Sequence, residues 1–440
     1  MENNINNLLI NSEYKILDIK LKKTKLYEII FKLCEDNNIL IFNENFNISF
    51  IKNINYTLKD LNNDFNFILF SNSPKTHAIK LVDIIYNTYS KYVFYTINLN
   101  DNEIVITIDN DRIIYFNLLF SNNIDYLSRF NIIKYDKLDN YNSKLLLLSN
   151  ELILFFITHE LYKPSRFINL INDNILFEYK KNNIENITHI NNLSYIEKYV
   201  ILLNNLFNNI KKSKINVDII NRTKNKILSN FINEISDLDI SNNIILLDQL
   251  AINILSKEEL NYNNTLNFII QNNSTSNNFN NIQYIIEILK DILKKNKINY
   301  TNIAYNKSNL YFYNDFRLKK TTIFIISDDN KKLTLMNVYN SIDFELIPII
   351  QRYKNFNIPH EFVIVRFILL NLITSQAYDN YFNKDIYTSY INNIYKLYKL
   401  DIIYEKIFYK GIYKDEKHDK FALGSYVVRP LQEELKQKTQ

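Results

Sequence analysis

The sequence predicts an α/β (α+β) protein with an N-terminal α/β unit, a helical middle region and a second α/β unit at the C-terminal side. Three observations lead there. The chain has 440 residues, enough for two or three cores of ordinary size. Its apolar residues switch repeatedly between helical spacing and short continuous or alternating runs. A polar tract, Gln271 to Asn281, has almost nothing to bury and separates the middle helices from a fresh helix-then-strand succession.

The elements follow in order. Lys22 to Asn37 carries Leu26, Ile29, Ile30 and Leu33 at helical spacing, and Asn38 to Phe42 then suits a buried strand. Phe65 to Phe70 is a second strand candidate. After it, Ser73 stands where it can cap a helix that begins at Pro74 and runs to about Ser90. Strands are expected at Tyr92 to Ile97, Ile104 to Ile108 and Arg112 to Leu119. Leu145 to Phe167 and Ile196 to Leu255 read as a helical layer. Beyond the polar tract come an amphipathic helix, Ile282 to Lys295, strands at Thr321 to Ser327 and Lys332 to Tyr339, and helices through Glu361 to Tyr398. The implied division is residues 1–140, 141–270, a linker or loop at 271–281, and 282–440.

Composition sets the outer limits. The formal charge is +5, which permits a nucleic-acid partner without demanding one. One cysteine, Cys34, cannot close an internal disulfide, and no signal peptide is visible, so a reducing, cytosolic setting is expected. No apolar run approaches the roughly 18 residues needed to span a bilayer. Glycine falls to 2 and tryptophan to 0, while tyrosine reaches 33 and phenylalanine 29, the pattern of AT-rich coding. Single aromatics therefore do not argue for base stacking.

The most specific motif lies in the C-terminal half. It reads Val338-Tyr339-Asn340-Ser341, then Phe344-Glu345-Leu346-Ile347-Pro348, then Val363-Ile364-Val365-Arg366-Phe367-Ile368-Leu369-Leu370. Three shorter blocks keep the same order: Phe70-Ser71 with Pro74 and His77-Ala78, Glu151-Leu152 with Glu160 to Pro164, and Gly411-Ile412-Tyr413 with Glu416. In order and spacing these blocks resemble the poly(A) polymerase catalytic subunits of poxviruses, mimiviruses and related large cytoplasmic DNA viruses. The resemblance implies a nucleotidyltransferase-like N-terminal unit and a second such unit at the C-terminal side. It implies ATP, Mg²⁺ and an mRNA 3′ end as ligands, and a homodimer or a protein partner in an mRNA-processing complex. The setting would be the cytoplasm, for a virus or linear plasmid.

Catalysis in that family needs a Gly-rich turn so that backbone N–H groups reach the triphosphate. It also needs a D-x-D pair and a third carboxylate to hold two Mg²⁺ ions. The turn falls on Asn43 and Glu44, with no glycine; at ~4 Å a unit charge there repels another by about 1 kcal/mol in water and about 4 at a dielectric of 20. D-x-D falls on Asp64-Phe65-Asn66, which leaves Asp64 as the one charged metal ligand. The third position falls on Asn117 or Phe116. The resemblance therefore implies a polyadenylating protein whose catalysis is weak or lost, or a non-catalytic RNA-binding or scaffolding subunit. A second D-x-D, Asp109-Asn110-Asp111, has the flanks of a strand-to-strand turn, where such residues also belong.

Other residues carry weaker signals. His77 could face a nucleotide or be a partly satisfied surface histidine, and His159-Glu160 lacks the second histidine of a zinc-protease helix. Arg366, within an apolar run, needs an internal partner if buried, with Glu345 or Asp343 the candidates. Lys211-Lys212 with Lys214, Arg222 to Lys226, Lys294-Lys295 and Arg317 with Lys319-Lys320 would form an RNA track if they converged, and solvated faces otherwise.

Overall fold

The computed structural model describes residues 26–51, 66–89, 95–99, 103–108, 112–118, 132–138, 141–161, 193–210, 222–258, 260, 265–270, 278–311, 317–326, 331–341, 347–378, 384–400, 408–410 and 426–427. The chain divides into two compact units. The first holds residues 1–153 with 185–194 and 375–382, and the second holds the remainder.

In the first unit, helix α1 (residues 26–36) buries Leu26, Ile30 and Leu33, as their spacing predicts. It stops at Asn38, whose φ of 51° allows the Ile39 N–H to reach the Cys34 carbonyl at 2.9 Å. Strand β1 (Leu40–Phe42) follows, then α2 (Glu44–Ile51), β2 (Asn66–Ser71) and α3 (Pro74–Tyr89), which begins at the expected proline. Strands β3 (Tyr95–Leu99), β4 (Glu103–Ile108), β5 (Arg112–Leu118), β6 (Ile132–Leu138) and β7 (Tyr141–Leu147) complete a sheet in the order β3-β4-β5-β2-β1-β7-β6. Phe31, Phe46 and Phe67 make its aromatic core: Phe31 stacks on Phe46 at 5.8 Å and meets Phe67 edge-on at 6.1 Å. Cys34 is buried in the same cluster, and burial pushes its thiol pKa up, which leaves it a packing residue.

Further along the chain come α4 (Asn150–Leu161), α5 (Tyr195–Ile210), α6 (Arg222–Ser236), β8 (Ile244–Leu246), α7 (Asp248–Leu255), β9 (Leu266–Ile270) and α8 (Asn278–Lys295). Strands β10 (Asn302–Tyr311), β11 (Arg317–Ile326), β12 (Lys332–Ser341), β13 (Ile347–Tyr353) and β14 (Phe356–Pro359) precede α9 (Glu361–Tyr378) and α10 (Lys384–Tyr398). Short strands β15 (Phe408–Lys410) and β16 (Tyr426–Val427) close the sequence of elements. The second sheet has the order β10-β11-β12-β9-β8-β14-β13-β15-β16.

Residues 141–270 are not a purely helical region, as the sequence reading has it. Tyr141–Leu147 is an edge-side strand of the first sheet, and β8 and β9 lie at the centre of the second. Their runs are buried on both faces, so they lack the alternation that separates a strand from a buried helix. The expected linker is partly helix, since α8 starts at Asn278; residues 271–277 lie outside the described set.

The first seven strands of the second sheet repeat the first sheet. Taken in chain order, β8 to β14 occupy the places of β1 to β7, and each neighbouring pair keeps its direction. Strands β1 and β2 are antiparallel, as are β8 and β9, while β2 is parallel to β5 as β9 is to β12. Likewise β1 is parallel to β7, and β8 to β14. The helices recur too: α1, α2 and α3 alternate with β1 and β2 as α6, α7 and α8 do with β8 and β9. Each unit is thus one copy of the same mixed α/β plan.

Candidate functional site

The turn from β1 into α2, where the sequence resemblance implies a Gly-rich turn, is closed by its own side chains. Asn43 is 3% exposed and caps α2: its Oδ1 accepts from the Phe46 N–H at 2.9 Å. Asn47 returns the bond, its Oδ1 accepting from the Asn43 N–H at 3.0 Å. Asn43 Nδ2 donates to the Asn66 carbonyl at 2.9 Å and so ties the turn to β2. Two backbone donors that could serve a phosphate are thereby committed within the chain, and a Cβ stands where a glycine would leave room. Glu44, the first residue of α2, complements the helix dipole. The described residues of this turn do not fit a triphosphate cradle.

Asn66 opens β2 with an exposed side chain, on the face opposite the buried Phe67. Its parallel partner on β5 is Ile113. Asn117 pairs instead with Phe70, four positions further along, which at a rise of ~3.3 Å per residue puts it about 13 Å from the level of Asn66. Phe116, the alternative third position, is fully buried in the core. The fold therefore brings Asn43, Glu44 and Asn66 to one end of the sheet and leaves Asn117 at the other. Asp64 lies outside the described residues. Asp109-Asn110-Asp111 does too, between the paired strand ends Ile108 and Arg112. Among the described residues no group of three His, Cys, Asp or Glu side chains could hold a metal ion.

At the far end of β2, His77 Nδ1 lies 2.5 Å from Ser71 Oγ, which also accepts from the Ser73 N–H at 2.9 Å. Ser71 Oγ and His77 Nδ1 thus share one hydrogen bond, with the ring's tautomer deciding which of them donates. Burial, and then the nearby Lys80, hold the His77 pKa below its ordinary value. His77 is a satisfied histidine of the β2–α3 corner.

In the second unit the matching motif positions carry no carboxylate. Phe268 stacks with Phe231 of α6, while Asn267 points to the opposite face, as Asn66 does beside Phe67. The D-x-D positions are accordingly Thr265-Leu266-Asn267, and the residue across from Asn267 is Asn337. Sequence reading overlooks this face. Its one signal is polar residues inside apolar runs: Asn267 in β9, Asn337 in β12 and Asn371 in α9.

Two residues of the basic clusters, Lys295 and Lys224, are engaged within the fold. Lys295 pairs with Glu234 and Lys290 with Glu287, each at 3.0 Å. Lys224 donates to Thr265 Oγ1 at 3.2 Å, and burial pulls its pKa down to about 8. Lys211, Lys212 and Lys214 lie outside the described residues. Arg366 is 1% exposed, its guanidinium 4.9 Å from the centre of the Phe155 ring. Burial lowers its pKa strongly and the Glu160 carboxylate opposes that shift. Among the described residues Glu160 supplies a counter-charge; Glu345 and Asp343, the partners expected from the sequence, lie outside the described residues.

The chain is thus built from two copies of one mixed α/β plan, each with a strand-turn-helix-strand entry to its sheet. Among solved structures, the fold is similar to that in the crystal structure of the Megavirus polyadenylate synthase, with a TM-score of 0.56 over 86% of this chain and 68% of that one. Sequence identity is 13%, so the likeness is one of fold. No family model matches the sequence, and no curated protein does.

Proposed function

We propose that this chain is a poly(A) polymerase-like protein of a cytoplasmic virus or linear plasmid that acts in mRNA 3′-end processing, with adenylyl transfer weak or lost. The likeness over 86% of the chain to a viral polyadenylate synthase carries the first half of this reading. The Asn43 cap carries the second. A triphosphate at that turn would have to displace two internal hydrogen bonds, at a net cost of about 1 kcal/mol each, and face Glu44 as well. ATP and Mg²⁺ are its ligands if activity remains, and RNA, a second copy or another protein subunit is its partner. No described helix is long and apolar enough to cross a membrane.

Purified protein with ATP, Mg²⁺ or Mn²⁺ and a U-rich RNA primer tests the reading. Little or no tail extension is expected, with RNA retained in a binding assay at low salt. Robust extension that Asp64→Ala abolishes would refute the loss of catalysis. The second reading, a non-catalytic RNA-binding or scaffolding subunit, is favoured by the self-satisfied turn. It requires RNA or protein capture without extension.

A further inference from the structure

Asp248 stands at the entry to α7, in the second unit, with a backbone φ of 57°. Its side chain is 4% exposed. Oδ2 accepts from Asn267 Nδ2 of β9 at 2.8 Å and from Asn371 Nδ2 of α9 at 3.3 Å. Oδ1 is buried and has no hydrogen-bond partner among the described residues. The network runs on across the sheet: Asn337 of β12 donates to Asn267 at 2.9 Å, Thr322 of β11 donates to Asn337 at 2.8 Å, and the Tyr339 hydroxyl of β12 donates to Asn371 Oδ1. By strand register Asn267, Asn337, Thr322, Tyr339 and Lys320 all share one face of the second sheet.

Three titratable groups act on Asp248 from other elements: Lys320 of β11, Tyr339 of β12 and Tyr390 of α10. Only Lys320 favours the carboxylate, and it is not hydrogen-bonded to it. Both tyrosines have their pKa raised, by burial first. Further along α7, Lys396 of α10 donates to Asn253 Oδ1 at 3.2 Å and pairs with Glu258. Helix α9 is therefore bonded to this carboxyl through Asn371, and α10 is tied to the same helix α7 through Lys396 and acts on the carboxyl through Tyr390; the second carboxyl oxygen has no hydrogen-bond partner among the described residues.

We propose that Asp248 and the amides around it form a proton-operated latch: the neutral carboxyl holds α9 and α10 on this face of the second sheet, and its ionisation loosens them. The physical cause is desolvation, because a carboxylate with one oxygen unpaired costs more in this site than the neutral acid does. Burial pushes the Asp248 pKa from 3.8 up to about 7, against the opposing pull of Asn371, Asn267 and Lys320. The folded value is raised, so the latch is fully effective below about pH 4 and weakens as pH rises through 7. Between those values each pH unit multiplies the local opening constant by about ten. The turn itself is set by the chain, and the latch acts independently of any nucleotide or RNA.

Hydrogen exchange of the α9 and α10 amides in the full-length protein, corrected for intrinsic rates, tests this between pH 5 and 8.5. The wild type should open about tenfold more per pH unit up to about 7 and then level off. Asp248→Asn keeps the shape and the amide contacts of Oδ2, and should abolish the slope. Lys320→Met removes the favourable charge, so the levelling should move to higher pH, a change that a merely structural Asp248 would not produce. A flat wild-type profile, a slope that survives in Asp248→Asn, or an unmoved break in Lys320→Met would overturn the latch. Should Asp248→Asn fail to fold, the Lys320→Met break decides.

Discussion

Replacing Asn43 by alanine removes the cap of α2 and the tie to β2 in one step. The cap, Asn43 Oδ1 to the Phe46 N–H, contributes about 1 kcal/mol. The Nδ2 bond to the Asn66 carbonyl contributes about another 1 kcal/mol, and somewhat more because Asn43 is 3% exposed and its loss strands a partner. The expected cost is therefore about 2–3 kcal/mol, confined to the first unit. Asn43→Ser keeps a capping oxygen but cannot reach Asn66, so it should lose only about half of that. A two-unit protein without tryptophan is poorly served by a single denaturation curve. Exchange of the Phe46 and Asn47 amides, which read the turn directly, is the better assay. A change below about 0.5 kcal/mol for Asn43→Ala, or equal losses for alanine and serine, would refute the account of this turn as a self-satisfied cap.

Two further outcomes follow from the same structure. Lys257 and Lys297 end α7 and α8 in left-handed conformation, with φ of 56° and 52°, closing bonds from Glu258 N–H to the Asn253 carbonyl and from Ile298 N–H to the Leu293 carbonyl. Glycine avoids the Cβ strain there, so Lys257→Gly and Lys297→Gly should each stabilise the second unit by about 1 kcal/mol, read as slower hydrogen exchange of the Glu258 and Ile298 amides that close these turns. His77 has a folded pKa below its ordinary 6.5. Its contribution to stability is thus present above pH 6.5 and lost as pH falls towards the folded value, and an NMR titration of its ring should show a midpoint below 6.5. Ser71→Ala should move that midpoint, since it removes the Nδ1 partner.

Much of the fold was legible because its signals are local. The α1 spacing at Leu26, Ile30 and Leu33, the Ser73-Pro74 start of α3 and the alternation of β4 need only near neighbours to be interpreted. Strands β8 and β9 were not legible, for runs of three and five residues, apolar but for Asn267 and buried on both faces, are too short to show a period. The candidate site divided in the same way. That the turn at Asn43 lacks glycine is plain from the letters alone. That Asn43 then caps its own helix and grips the Asn66 carbonyl depends on β1 and β2 lying side by side, with the partners 23 positions apart in sequence.

What the sequence determined by itself is the α/β class, the recurrence of a helix-and-strand succession, and the absence of glycine from the turn at Asn43 and Glu44. Tertiary structure alone decided three things. It showed that the recurrence is one seven-strand plan used twice, that Asn117 stands about four strand positions from the level of Asn66, and that Asp248 is enclosed by amides from β9 and α9. The physical reason is common to all three. Strand register and the company of a buried polar group are set by pairing between distant segments, and periodicity along the chain carries no record of which segments those are.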